Sequence, residues 1–134
     1  MYDSLQVAAA ELEDLARRFF GAYGERDLAT VRSLLADELV SHITNADAGV
    51  DQVEGRDGFM ARLPDLTGAE LETAITQVVG VDDERVMTMI EIRARRQGRT
   101  LHNFAAFLTR VVAGRIVELW MVDAKPAYSD EFWS

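Results

Sequence analysis

The chain has 134 residues, 49% of them hydrophobic, with no cysteine and a formal net charge of −9. That length is one domain, read here as residues 1–134, able to bury roughly two-thirds of its unfolded surface. The charge argues against a nucleic-acid partner, the missing cysteine excludes disulfide and thiolate chemistry, and no apolar run reaches the roughly 18 residues of a membrane span.

Leu12, Leu15, Ala16, Phe19, Phe20 and Tyr23 fall at i, i+3, i+4, i+7, i+8 and i+11, which predicts one stripe of a first helix, ended by Gly24. Asp27 is placed to cap a second helix with Leu28, Val31, Leu34 and Leu35 inward. Leu39 to Thr44 reads as a short strand, and Gly49 to Gly55 as a polar loop with room for a small hairpin. Asp57 is placed to cap a third helix burying Phe59, Met60 and Leu63, stopped by Pro64 and Gly68.

After Gly68 the period becomes two. Leu71, Thr73, Ile75, Gln77 and Val79 alternate with Glu70, Glu72, Ala74, Thr76 and Val78. Three strands follow, Val86 to Arg96, Thr100 to Val111 and Ile116 to Ala124, joined by Gln97-Gly98 and Ala113-Gly114. Two-residue loops pair Arg96 with Arg99 and Val112 with Arg115. An unbroken count back from them places Glu91, Phe104 and Asp123 in one row. Arg93, His102 and Lys125 form the next row, and Met89, Ala106 and Met121 the row on the other side. This face would be the wall of a pocket. The second face would carry Ile90, Ile92, Ala105, Phe107, Trp120 and Val122. Both faces are too apolar to meet water, so one should lie under the helices, and the face that bears Ile92, Ala105, Phe107 and Trp120 is expected to lie under a second copy of the chain.

This order of elements resembles the nuclear transport factor 2-like superfamily, and within it the SnoaL-like group. The residues that carry the resemblance are Phe19-Phe20-Gly21-Ala22-Tyr23 followed by Arg26-Asp27-Leu28, Leu34-Leu35-Ala36-Asp37-Glu38, Glu54-Gly55-Arg56-Asp57 and Gly114-Arg115-Ile116-Val117-Glu118-Leu119-Trp120. The resemblance implies an α+β, cystatin-like cone, with N-terminal helices packed on a curved, mostly antiparallel sheet. It implies no single activity, because the superfamily carries isomerases, cyclases, hydrolases and binders. Ketosteroid isomerase-like chemistry would fall on Phe19, Ile43 and Ala106, none of which can move a proton. Limonene epoxide hydrolase-like chemistry needs two carboxylates and an arginine, for which Glu91, Arg93 and Asp123 are the right types. SnoaL-like cyclases imply an aspartate acid/base late in the last strand. Asp123 lies near that position, but its spacing from Trp120 is one residue short, and a slip of one turns a side chain to the other face.

The residues set two readings side by side. In the first, Asp123 is a general acid/base acting on an oxygenated hydrophobic molecule, with Arg93 and His102 stabilising negative charge and Glu91 orienting Arg93. Met89, Phe104, Ala106, Met121, Phe19, Tyr23 and His42 would contact the substrate. In the second, these charges are rim ion pairs on a non-catalytic binding or dimerisation module. Neither reading calls for a cofactor or a metal, since the histidines and carboxylates show no ligand spacing. The tail, with Tyr128, Phe132 and Trp133, is expected to pack over the pocket mouth or on a partner subunit. The expected setting is cytoplasmic, as a homodimer.

Overall fold

The 3.6-residue stripe of Leu12, Leu15, Ala16, Phe19 and Phe20 is buried along α1 (Tyr2–Gly24), the longest helix. The computed structural model describes residues 2–134, with side chains from residue 9 onward. Asp27 caps α2 (Leu28–Ser33), its carboxylate accepting from the Thr30 N–H at 3.2 Å. Leu28 points outward rather than in, and Leu35 belongs to the next element. The first strand, β1 (Leu35–Thr44), therefore starts earlier than its apolar run suggests. It is followed by β2 (Val50–Glu54), which makes the anticipated small hairpin, and α3 (Arg56–Arg62). Gly55 stands at the N-cap of α3, while Asp57 sits in its first turn and pairs with Arg32 at 2.6 Å.

The remaining strands are β3 (Glu70–Gly80), β4 (Arg85–Arg96), β5 (Arg99–Val112) and β6 (Arg115–Asp123), before a last helix, α4 (Pro126–Trp133). The six strands form one sheet in the order β2-β1-β6-β5-β4-β3. Only β1 and β6 run parallel. Gln97-Gly98 and Ala113-Gly114 are two-residue turns with positive φ at both positions, the geometry that matches strand twist. Arg96 pairs with Arg99 and Val112 with Arg115, as counted.

Across β4 and β5 the count holds along the whole ladder: Met89 faces Ala106, Glu91 faces Phe104 and Arg93 faces His102. Across β5 and β6 it fails. Val111 pairs with Ile116 but Arg110 pairs with Glu118, so Val117 is an extra residue, a β-bulge. Beyond the bulge every β6 side chain is turned over. Asp123 pairs with Ala105, Met121 with Phe107, and Trp120 with Leu108. The expected row of Glu91, Phe104 and Asp123 does not exist, and neither does the row of Met89, Ala106 and Met121.

The assignment of faces also changes, independently of the bulge. Ile90, Ala105 and Phe107 lie under the helices, with Phe20 on Phe107 at 4.7 Å between ring centroids. That face is the inner one and is not available to a partner subunit. The outer face carries Met89 (40% exposed), Phe104 (45%) and Val122 (56%), together with Trp120 and Ala106. Leu35, Leu39, Ile116 and Leu119 are fully enclosed where β1 and β6 run side by side, and they anchor the sheet to the helices.

Candidate active site

The helices do not fill the inner face. A cavity of about 440 Å³ remains between α1, α3, α4 and the sheet. Phe19, Phe20, Ile90, Ile92, Phe107 and Met121 make its apolar wall. The C-terminal tail closes one side, with Pro126, Ser129, Asp130 and Trp133 in the lining. α4 is held there because β5 outruns β6. The Tyr128 hydroxyl bridges the free edge of β5, accepting from the His102 N–H at 3.1 Å and donating to the Thr100 carbonyl at 3.1 Å. Phe132 is buried against Leu101 and Ala94.

The bulge at Val117 brings Asp123 into this cavity. Its side chain is enclosed, with the residue 9% exposed. Oδ1 accepts from Asn103 Nδ2 at 2.6 Å and from the Lys125 N–H at 2.7 Å. Oδ2 takes no hydrogen bond among the described residues. The Asp123 N–H donates to Thr44 Oγ1 at 3.0 Å, tying the strand end to β1. Asn103 is fully buried and its own Oδ1 is unpaired. An apolar residue would avoid that cost, so the amide is explained by the carboxylate it serves.

The second polar group in the wall is Tyr23, from the last turn of α1. Burial pushes its hydroxyl up to about 12. It is therefore a neutral donor near neutral pH. The folded value lies above the ordinary 10.0, so its contribution to stability is intact below pH 10 and is lost as pH rises toward 12. Tyr23→Phe is expected to remove that alkaline loss: thermal melts between pH 10 and 12 should show a smaller fall in Tm than the wild type. Equal falls would place the hydroxyl in water.

At the mouth, Asp51 accepts from Asn45 Nδ2 at 3.0 Å and from Arg62 at 3.1 Å. The Asn45 hydrogen bond, then Arg62, holds its carboxyl below the usual carboxylate range.

Among the residues singled out from the sequence, Phe19, Tyr23, Met121 and Asp123 line the cavity. Met89, Phe104, Ala106, Glu91, Arg93 and His102 lie on the outer face, across the sheet from Asp123. There His102 Nε2 meets Glu91 Oε2 at 2.7 Å and Arg93 reaches the same oxygen at 3.3 Å. The hydrogen bond with His102 is the largest cause that lowers the Glu91 carboxyl below its ordinary value. These three cannot act on one substrate together with Asp123. His42 is also on the outer face, paired with Glu118 at 2.9 Å and stacked on Trp120 at 5.3 Å. Asn103 went unmarked in the sequence, although a signal exists: it is polar within the buried set Leu101, Ala105, Phe107.

Residues 16–119 match the family model of the SnoaL-like domain. An uncharacterized protein of Mycobacterium tuberculosis is 30% identical over 124 residues, covering 90% of this chain and 95% of the relative. Among solved structures, Bal32a from a soil-derived mobile gene cassette superposes with a TM-score of 0.81 at 22% identity, covering 95% of this chain and 99% of that one. An LEH-like epoxide hydrolase of M. tuberculosis superposes with a TM-score of 0.72 at 20% identity, covering 91% of this chain and 89% of that one.

Proposed function

Because this chain belongs to the SnoaL-like domain family, we propose that its cavity binds a small, oxygenated hydrophobic molecule and that Asp123 acts on it as a general acid/base. The nuclear transport factor 2-like fold expected from the sequence is the fold of this chain. The observation that carries the activity is Asp123 itself. It is a buried carboxylate in an apolar cavity, with one oxygen fixed by two donors and the other left without one. A proton taken onto Oδ2 would leave both existing hydrogen bonds in place. Tyr23 supplies a neutral donor in the same cavity. This division of labour suits proton transfer at a carbon next to a carbonyl, as in a cyclisation or an isomerisation.

Epoxide opening is the second reading. It is favoured by the similarity to the LEH-like enzyme and by the Asp51–Arg62 pair in the same lining as Asp123. It no longer draws on Glu91 and Arg93. In a third reading the cavity only binds, and the fold serves as a dimerisation module. The three share a first experiment, a thermal-shift screen of aromatic polyketides, terpene epoxides and steroids. A ligand of the folded state at about 100 times its Kd adds about 2.7 kcal/mol, so a clear rise in Tm is expected for one class. A flat Tm across all three classes would contradict the reading.

The partner proposed for the outer face is a second copy of the chain. Its exposed apolar band of Met89, Phe104 and Val122 is bordered by charges of both signs, Glu91 and Arg93 at one end and Arg110 and Glu118 at the other, with the polar rings of His102 and His42 beside them. A self-complementary contact would cover the apolar centre and leave the charges at the rim.

A further inference from the structure

The cavity is acidic as well as apolar. Its lining includes Asp47, Asp51, Asp123 and Asp130, and the one cationic side chain among the described lining residues is Arg62. Arg62 is committed to Asp51 at 3.1 Å, which cancels its charge at the wall. Asp47, Asp123 and Asp130 pair with no Lys, Arg or His among the described residues. Asp47 and Asp130 are the exposed carboxylates of the lining, one on the loop after β1 and the other on α4. Asp123 is nine-tenths buried inside, with Oδ2 open. Lys125 is turned away, its ammonium 5.9 Å from the Tyr128 ring centroid.

We propose that this cavity accepts uncharged hydrophobic molecules and turns away carboxylates and other anions, with Asp47, Asp130 and Asp123 setting that preference. An anionic ligand would pass two carboxylates at the mouth, where water and salt screen them, and then meet a third in a low-dielectric wall, where they do not. Among the described lining residues no free guanidinium or ammonium repays that approach. A hydrophobic acid would therefore have to reach this protein with its carboxylate already masked, as an ester or amide. The inference rests on the cavity being the binding site, and it concerns which molecules enter rather than what Asp123 does to them.

A matched pair of dyes tests it without knowledge of the substrate. N-phenyl-1-naphthylamine and 8-anilino-1-naphthalenesulfonate share one skeleton and differ by the sulfonate. Titration of the whole protein at low salt, followed by dye fluorescence, is expected to show the neutral dye binding at least tenfold more tightly. The ratio should shrink in Asp47→Asn/Asp130→Asn and shrink further with Asp123→Asn added. Raising the salt should narrow the share due to the mouth. Equal affinities, or a ratio that none of the three replacements moves, would overturn the proposal. Met121→Trp, which fills the cavity, separates this from failure of the site. If that variant stays folded by circular dichroism and binds the neutral dye unchanged, the dye sits elsewhere and the cavity reading itself falls.

Discussion

Asp123→Asn is expected to lower turnover of a substrate found for this cavity by a factor of roughly 10² to 10⁴, with ligand affinity changed little. The argument is geometric. Asn keeps an oxygen at the Oδ1 position, so the donors Asn103 Nδ2 and Lys125 N keep their acceptor. Its amide nitrogen replaces Oδ2, the one atom free to carry a proton. Stability should stay within about 1 kcal/mol of the wild type, since both buried hydrogen bonds survive. A variant that binds and turns over normally would exclude the acid/base role and favour a binding module. Glu91→Gln is the counter-test. It sits across the sheet, hydrogen-bonded to His102, and removing its charge should not reach the cavity. A loss in Glu91→Gln as large as that in Asp123→Asn would put the chemistry on the outer face instead.

How much of this was legible in the sequence turns on one residue. Helices announce themselves by the 3.6 period, and the stripe from Leu12 to Tyr23 does so clearly. The two Gly turns set the β4–β5 ladder without error, because a two-residue loop with positive φ leaves no freedom in pairing. The β5–β6 ladder started from an equally good turn and still went wrong after two residues of β6. Val117 bulges out, and nothing in the pattern marks it, because both faces of these strands are apolar. Had the outer face been polar, a slip would have put charges into the core and the count would have exposed itself. Instead Trp120 and Met121 fit either face. The same ambiguity reversed the two sides of the sheet, sending Met89 and Phe104 outward. Asp123 was expected beside Glu91 and Phe104, and the bulge turns it to the opposite face, into the cavity. Glu91, Arg93 and His102 are real neighbours of one another, because they depend only on the ladder that was counted correctly. The lesson is local: a register argument is as good as its distance from the turn that anchors it.

The reversal also relocates the proposed contact between copies of the chain, and this carries the second large effect. Light scattering of the wild type at micromolar concentration should give twice the 15.0 kDa of one chain. Val122→Arg is expected to return it to a single chain, weakening association by at least roughly 30-fold, about 2 kcal/mol, by placing an unpaired charge in the apolar centre of the contact. Val122 is 56% exposed in the isolated chain, so the same change should leave the fold of each copy intact. Ile92→Arg makes a useful contrast. Ile92 packs against the core from the inner face and lines the cavity. A charge there should destabilise the chain itself and block dye or ligand binding before it alters association. If the wild type runs as a monomer at these concentrations, the outer band needs another cover. If Ile92→Arg rather than Val122→Arg separates folded copies, the two faces have been assigned the wrong way round.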